Sequence, residues 1–140
     1  MLDRATLDHW YLGEVLEGVR YRLNDSVALT SQPNRFASVI SLQYVSPEPG
    51  YLIEFSSGTD AIVSQSDLAT VIYVALLDEG TNVWRPVAAV PLGGSVYRII
   101  SQNACPDDEA WQFATGSEVR CEPRTLQGHL ELVATAEAAA

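Results

Sequence analysis

The chain has 140 residues, of which 47% are hydrophobic and 19% are charged, and this balance is that of a folded globular protein rather than of a disordered chain. Its formal net charge is −10 at pH 7, because eighteen carboxylates outnumber eight cationic side chains, all of them arginine. This surplus of negative charge argues against binding to nucleic acids and to anionic membranes, since clustered cations hold both kinds of partner.

The first predicted element is an N-terminal helix within residues 1–18. Asp3 belongs to the residue types that cap the first turn of a helix. Apolar side chains then recur every four residues, the spacing of one helix face, at Leu7, Tyr11 and Val15. Gly18 is predicted to end the helix, because glycine commonly follows the last helical turn.

From residue 19 onward the sequence is typical of β-strands. Short runs rich in β-branched and aromatic residues alternate between apolar and polar positions. Clusters of Gly, Pro, Asn and Asp separate them, and the predicted turns include Glu79-Gly80 and Gln127-Gly128. The predicted strands are 19–23, 26–30, 36–45, 50–55, 60–65, 70–77, 83–90, 95–101, 109–113, 117–122 and 130–136. Many short strands at such intervals indicate an all-β barrel or sandwich.

A first β-unit is predicted over residues 19–70. Five short pieces characterise it: the turn Asn24-Asp25, the strand at 39–42, PGYLIEF at 49–55, the hairpin Ser57-Gly58 and VSQSDL at 63–68. With these pieces, the segment resembles the small SH3-like barrels of the Tudor and KOW type. The resemblance implies a small β-barrel.

A second β-unit with a Trp-Arg-Pro motif is predicted over residues 71–135. Its characteristic pieces are LLDEGTNVWRPV (76–87), LGGSVYRI (92–99), DDEAWQF (107–113), GSEVRCEPRTL (116–126) and LELVA (130–134). On these pieces, residues 73–134 resemble an uncharacterised family of small bacterial all-β proteins, which implies a β-module without implying an activity. Residues 136–140 are predicted to be a disordered tail. The predicted fold is therefore all-β, with a short N-terminal helix followed by two coupled small SH3-like or related β-barrel units.

The triplet Trp84-Arg85-Pro86 allows two interpretations. Neighbouring side chains of a strand point to opposite faces, so we predict that Trp84 faces the barrel interior and that Arg85 faces outward. The acidic turn at Asp78 and Glu79 then offers Arg85 a carboxylate partner. Pro86 lacks a backbone donor and predicts an edge or a bend. The alternative is a partner-binding site at Trp84 and Arg85, because exposed Trp and Arg are enriched in binding hot spots.

The alternation also predicts the core. The side chains expected to be largely buried are Val39, Leu42, Leu52, Ile53, Phe55, Ile62, Val74, Leu76, Trp84, Val87, Tyr97, Ile99, Trp111, Phe113, Val119 and Leu132. Tyr44 and Tyr51 flank the turn at 47–50 and are predicted to meet across a hairpin. Packing within the hairpin and the core is the preferred role for this pair, and an aromatic site for a methylated cation on a partner is the alternative.

No arrangement of residues predicts catalysis or a bound cofactor. His9 and His129 have no Ser, Cys or carboxylate at a recognised motif spacing. Cys105 and Cys121 lack the spacing of a zinc site, and we expect free thiols, with a disulfide as the alternative. The acidic run Asp107-Asp108-Glu109 is predicted to be a solvated loop, because three adjacent acids cannot converge as calcium ligands do.

The sequence therefore predicts a non-catalytic protein-interaction module. We expect it in the cytoplasm, because the N-terminus lacks a secretory signal and no run reaches the roughly 18 apolar residues of a membrane span. The negative charge favours a basic protein partner over nucleic acid or membrane. The candidate partner-binding residues are Trp84, Arg85, Tyr44 and Tyr51.

Two other classes of function stay open at this point. The first is an immunity-type inhibitor that binds a basic toxin enzyme, which the small size and the negative charge would suit. The second is a small hydrolase-like enzyme. That class would be recognised by a deep pocket that holds His9 or His129 beside a buried carboxylate.

Overall fold

The computed structural model describes residues 2–79 and 83–138, which form one short helix, ten strands and a 3₁₀ turn. In chain order the helix and strands are α1 (Arg4–Tyr11), β1 (Ser26–Leu29), β2 (Gln32–Tyr44), β3 (Gly50–Phe55), β4 (Asp60–Ser64), β5 (Leu68–Leu77), β6 (Trp84–Gly93), β7 (Val96–Ile99), β8 (Ala110–Trp111), β9 (Glu118–Leu126) and β10 (His129–Glu137). The 3₁₀ turn, Gln65–Asp67, lies between β4 and β5.

The strands form two coupled units that share β5. In the first unit the strand order is β5-β1-β2-β3-β4. The second unit is a five-stranded barrel in the order β5-β6-β7-β9-β10, closed by the pairing of Val133 with Tyr73. The short strand β8 pairs with the end of β5. The predicted fold class is confirmed, but the predicted boundary after residue 70 falls inside β5, which belongs to both units.

Ten of the predicted strands are present, but several limits differ by up to four residues: β2 begins at Gln32 rather than at Phe36, and β9 ends at Leu126 rather than at Glu122. Two segments differ from the prediction altogether. The predicted strand at 19–23 is absent, and this segment is irregular. At the other end, Ala136 and Glu137 were assigned to a disordered tail, yet they pair with β9 as part of β10. Residues 139–140 of that tail lie outside the described residues, as does part of the predicted turn at Glu79-Gly80.

The helix α1 is shorter than predicted. Asp3 is its N-cap, and the carboxylate accepts a hydrogen bond from the backbone N–H of Thr6 at 2.7 Å. The helix ends at Tyr11 because Gly13 has a φ of 80°, the left-handed conformation that terminates helices and favours glycine. The prediction of a helix up to Gly18 is therefore wrong, and Val15, placed on its apolar face, is exposed.

Two aromatic side chains anchor the N-terminal segment to the first unit. Trp10 is only 1% exposed, and its indole N–H donates to the carbonyl oxygen of Tyr21 at 2.8 Å. Tyr21 is also buried, and its backbone N–H donates to the hydroxyl of Tyr51 at 3.3 Å. The Tyr21 hydroxyl lies 2.9 Å from Oγ1 of Thr70. Side-chain contacts thus hold in place a segment that the alternation had assigned to a sheet.

Each unit has its own apolar core. The first consists of Trp10, Tyr21, Val27, Ala37, Val39, Leu42, Tyr51, Ile53, Phe55 and Leu68. The second, inside the barrel, consists of Ile72, Val74, Val87, Ala89, Ile99, Phe113, Val119, Cys121 and Ala134. Leu68 and Ile72 of β5 contribute to different cores. A single strand, β5, therefore contributes side chains to the cores of both units.

Most of the predicted core residues are buried, and the exceptions follow strand geometry. The predicted core residues that are only partly buried are Leu52, Trp84, Tyr97, Trp111 and Leu132. Ile62 is 59% exposed, so its assignment to the core is wrong. Its neighbours Ala61 and Val63 pack against the first core, which leaves Ile62 on the opposite face of β4.

A layer of alanine residues joins the two units. Ala28 of β1, Ala69 of β5 and Ala88 of β6 are fully buried neighbours on one face of the sheet. Phe36 and Ile100 cover them. Larger side chains would have no room there, because close-packed interiors leave few voids.

A set of hydrogen bonds reinforces this junction. The hydroxyl of buried Ser101 accepts from the backbone N–H of Ala88 at 2.8 Å and donates to the carbonyl oxygen of Pro33 at 2.7 Å. Asn34 donates to the carbonyl oxygen of Gln102 at 3.0 Å and accepts from its N–H at 3.1 Å. The start of β2 is thereby tied to the segment that follows β7.

Ser101→Ala is expected to lower the free energy of unfolding by about 1–3 kcal/mol. The substitution removes the partner of two backbone groups, the N–H of Ala88 and the carbonyl of Pro33, while the side chain becomes only slightly smaller. Urea denaturation measures the effect. Ser95→Ala, at an exposed position, is the control and should stay within about 0.5 kcal/mol of the unsubstituted protein. Equal stability of the two variants would show that these hydrogen bonds make no net contribution to the free energy of unfolding.

Candidate functional site

Trp84 lies on the outer face of the barrel. In the antiparallel pairing of β5 with β6, Trp84 is opposite Ala75, and Arg85 is opposite Val74. Paired residues on neighbouring strands place their side chains on the same face, and Val74 belongs to the barrel core. The prediction that Trp84 faces the interior is therefore wrong, and the indole is only partly buried. The prediction that Arg85 is on the outer face is also wrong, because Arg85 shares the face of Val74, although its side chain is exposed.

Arg85 binds a different carboxylate from the one predicted. Its Nε donates to Oε1 of Glu109 at 3.1 Å, and a second hydrogen bond joins Nη2 to Oε2 of the same residue. The prediction of a partner at Asp78 or Glu79 is wrong. The indole N–H of Trp111 also donates to Glu109, at 3.2 Å, and the hydrogen bonds from Arg85 hold the pKa of the Glu109 carboxyl below its ordinary value. Arg85 thus links β6 to the loop before β8 through its hydrogen bonds to Glu109.

A groove of about 450 Å³ lies beside Trp84 on this outer face. Its walls are contributed by β5, by β6 and by the hairpin of β9 and β10. We call it the Trp84 groove, and its lining residues include Tyr73, Trp84, Leu126, Gln127, His129 and Glu131.

The hairpin side of the groove is shaped by a two-residue turn. Gln127 and Gly128 both have positive φ, 50° and 84°, which is the requirement of the tight turn that suits twisted antiparallel strands. Leu126 and His129 pair directly across this turn. A short, regular turn therefore fixes the position of two residues in the groove wall.

Glu131 supplies the negative charge of the groove. Burial, and to a lesser degree the charge of Glu131, raises the pKa of the Tyr73 phenol above its ordinary value. The carboxylate and the phenol of the same groove therefore interact electrostatically. Glu131 forms no salt bridge with any residue that the structure describes. The groove therefore combines aromatic surface with a carboxylate that forms no salt bridge among the described residues, although Arg124 lies opposite it on β9.

Tyr44 and Tyr51 do not form an aromatic cage. Tyr51 is fully buried, and its hydroxyl donates to Oε1 of Gln65 at 2.5 Å. Tyr44 packs across Gly50, and its hydroxyl lies 2.9 Å from Oγ of Ser64. Tyr51 offers no surface to a partner, which agrees with the preferred role in packing.

The other chemistry-bearing residues are separated from one another. His9 contacts Glu14 on the exposed helix end, whereas His129 lines the Trp84 groove and is exposed. Cys105 is exposed and Cys121 is buried, and both are free thiols, as expected. Burial raises the pKa of the Cys121 thiol to about 11, so this thiol is protonated at neutral pH. Glu109 departs from the predicted solvated loop, because Arg85 binds it.

Within residues 2–79 and 83–138, no group of three or more His, Cys, Asp or Glu residues is placed to hold a metal ion. In the same part of the chain no helix has the length and apolar character needed to cross a membrane. The chain matches no protein-family model, no curated protein and no solved structure. Inferences about the site therefore depend on its own geometry.

Sequence reasoning singled out Trp84 and His129 but not the residues that complete the groove. Tyr73 and Glu131 are ordinary strand residues by pattern, and Leu126 lies beyond the predicted strand 117–122. Only the pairing of distant strands brings the three together. The turn at Gln127-Gly128 was the one feature of the local sequence that indicated the hairpin side of the groove.

Proposed function

We propose that the chain is a non-catalytic protein-interaction module that binds a basic protein partner in the Trp84 groove. The observation that carries the proposal is a partly exposed tryptophan on the outer face of a closed barrel whose interior is filled without it. Tryptophan offers a large, rigid apolar contact area and is enriched among residues that dominate binding energies.

Charge supports a basic partner. The net charge of −10 attracts cationic proteins and speeds their encounter, and Glu131 places a negative charge within the groove itself. An immunity-type inhibitor of a basic toxin enzyme is a special case of this proposal. Identification of the partner as a toxin enzyme would support that special case. The hydrolase-like alternative needs a buried carboxylate beside a histidine, whereas His129 is exposed and Glu131 is only partly buried.

Trp84→Ala is expected to leave the fold intact and to abolish capture of the partner. Because the indole is partly exposed and lies outside the barrel core, its removal should lower the free energy of unfolding by only about 1–2 kcal/mol. Because binding of the partner is proposed to depend on the same ring, Trp84→Ala should lose binding while it keeps most of its stability. Thermal unfolding measures the first effect. Capture by the immobilised full chain, followed by titration with the identified partner, measures the second.

Leu92→Ala is the matched control, because Leu92 is an exposed apolar residue elsewhere on β6. The proposal expects a basic protein that the unsubstituted chain and Leu92→Ala retain and that Trp84→Ala loses. If Trp84→Ala retains the same partner with unchanged affinity, the groove is not the binding site. If Trp84→Ala unfolds the chain, the indole is a core residue after all.

A further inference from the structure

We infer that the Trp84 groove recognises an arginine side chain of the basic partner, with the guanidinium against the aromatic surface of Trp84 and Tyr73 and opposite the carboxylate of Glu131. This inference rests on the proposed function and names the chemical group that the site selects. Three features of the groove support it.

The first feature is the aromatic lining. Trp84 and Tyr73 contribute to one groove from neighbouring strands, on the outer face that Ala75 and Pro86 share with them. The face of an aromatic ring attracts a cation, and indole does so most strongly. A planar guanidinium also stacks on such rings, which a compact ammonium group cannot do.

The second feature is the unpaired carboxylate. Glu131 lines the groove, has no cationic partner among the described residues and is partly buried. A partly buried negative charge beside apolar surface is stabilised when a cation binds, and a guanidinium can donate two parallel hydrogen bonds to a carboxylate. Arg124 lies opposite Glu131 in the pairing of β9 with β10, but its guanidinium donates to Glu122, at 3.4 Å, and forms no salt bridge with Glu131.

The third feature is the surface that continues from the groove. Glu131 also lines a smaller cavity of about 160 Å³ beyond the Trp84 groove, together with Asp25, Thr70 and Leu130. This cavity places a second carboxylate, that of Asp25, along the same side of β10. A peptide segment that inserts arginine beside Trp84 can therefore extend over further acidic surface.

The test titrates the full chain with a capped peptide that contains three arginines, and with matched peptides that contain three citrullines or three lysines. The indole N–H resonance of Trp84, assigned with Trp84→Phe, reports binding at the groove. Trp10 is buried in the first unit and Trp111 lies outside the groove, so their resonances serve as internal references. We expect the arginine peptide to shift the Trp84 resonance, and citrulline, which has the same shape without the charge, to leave it in place.

Glu131→Gln is expected to raise the Kd of the arginine peptide about fivefold, in line with the loss of one partly exposed ion pair. Glu137→Gln removes the same charge from the same strand outside the groove and should leave Kd within about twofold. Equal binding of the citrulline or the lysine peptide, or an unchanged Kd in Glu131→Gln, would overturn the assignment to arginine. If Trp84→Ala still abolishes capture of the protein partner in that case, the proposed function stands and only this inference fails.

Discussion

Trp10→Ala is expected to lower the free energy of unfolding by about 3–5 kcal/mol, the usual cost of truncating a buried aromatic residue. The indole fills the first core, and its N–H satisfies the carbonyl of Tyr21. An eight-residue helix is not stable by itself in water, so α1 depends on this contact. Urea denaturation measures the loss. Hydrogen exchange should show that the N-terminal segment becomes unprotected.

Two further variants separate the contributions of this side chain. Trp10→Phe keeps an aromatic ring but loses the hydrogen bond to Tyr21, so it should be less destabilising than Trp10→Ala. Tyr11→Ala changes the neighbouring aromatic residue, which is 45% exposed, and should cost less than about 1 kcal/mol. If Trp10→Ala is no more destabilising than Tyr11→Ala, the helix is not anchored through the indole.

Ala88→Leu is expected to lower the free energy of unfolding by about 3 kcal/mol and to destabilise both units together. Ala88 is fully buried in one layer with Ala69 of the adjacent strand β5 and Ala28 of β1, and Phe36 and Ile100 cover the layer. A leucine at this position forces neighbouring strands or side chains out of their packed positions, which typically costs 1–3 kcal/mol and occasionally more. Denaturation followed both by tryptophan fluorescence and by NMR signals from each unit measures the change.

The control for this variant is Ala136→Leu, which adds the same volume at an exposed position of β10 and should change stability by less than about 0.5 kcal/mol. A common transition in both units is expected, because β5 and the alanine layer belong to both. Loss of the barrel alone, with the first unit still folded, would show that the two units are independently stable.

The strand pattern of the sequence was informative because a half-buried strand must alternate apolar and polar residues. The alternation predicted β3 with its observed limits, Gly50–Phe55, and nine further strands with errors of up to four residues at their ends. It failed at 19–23, where Tyr21 is buried as a strand residue would be. There the burial comes from side-chain contacts with Trp10 and Tyr51, and no neighbouring strand pairs with the backbone.

The candidate site was predicted only in part, and the reason lies in strand geometry. Alternation shows that Trp84 and Arg85 point to opposite faces, but it does not show which face is inside. A tryptophan is the more apolar of the two, so the sequence favoured the interior for it. The pairing with β5 reverses this assignment, because Val74 in the core lies opposite Arg85.

The sequence by itself determined the all-β character of the chain, the N-cap at Asp3, the turn at Gln127-Gly128 and the negative charge, because each depends on local residue chemistry or on composition. The tertiary structure alone decided that β5 serves two cores and that the groove combines Trp84 with Glu131. Both depend on pairings between strands far apart in the chain. Such pairings are selected by the packing of whole faces, and no local pattern records which strands will meet.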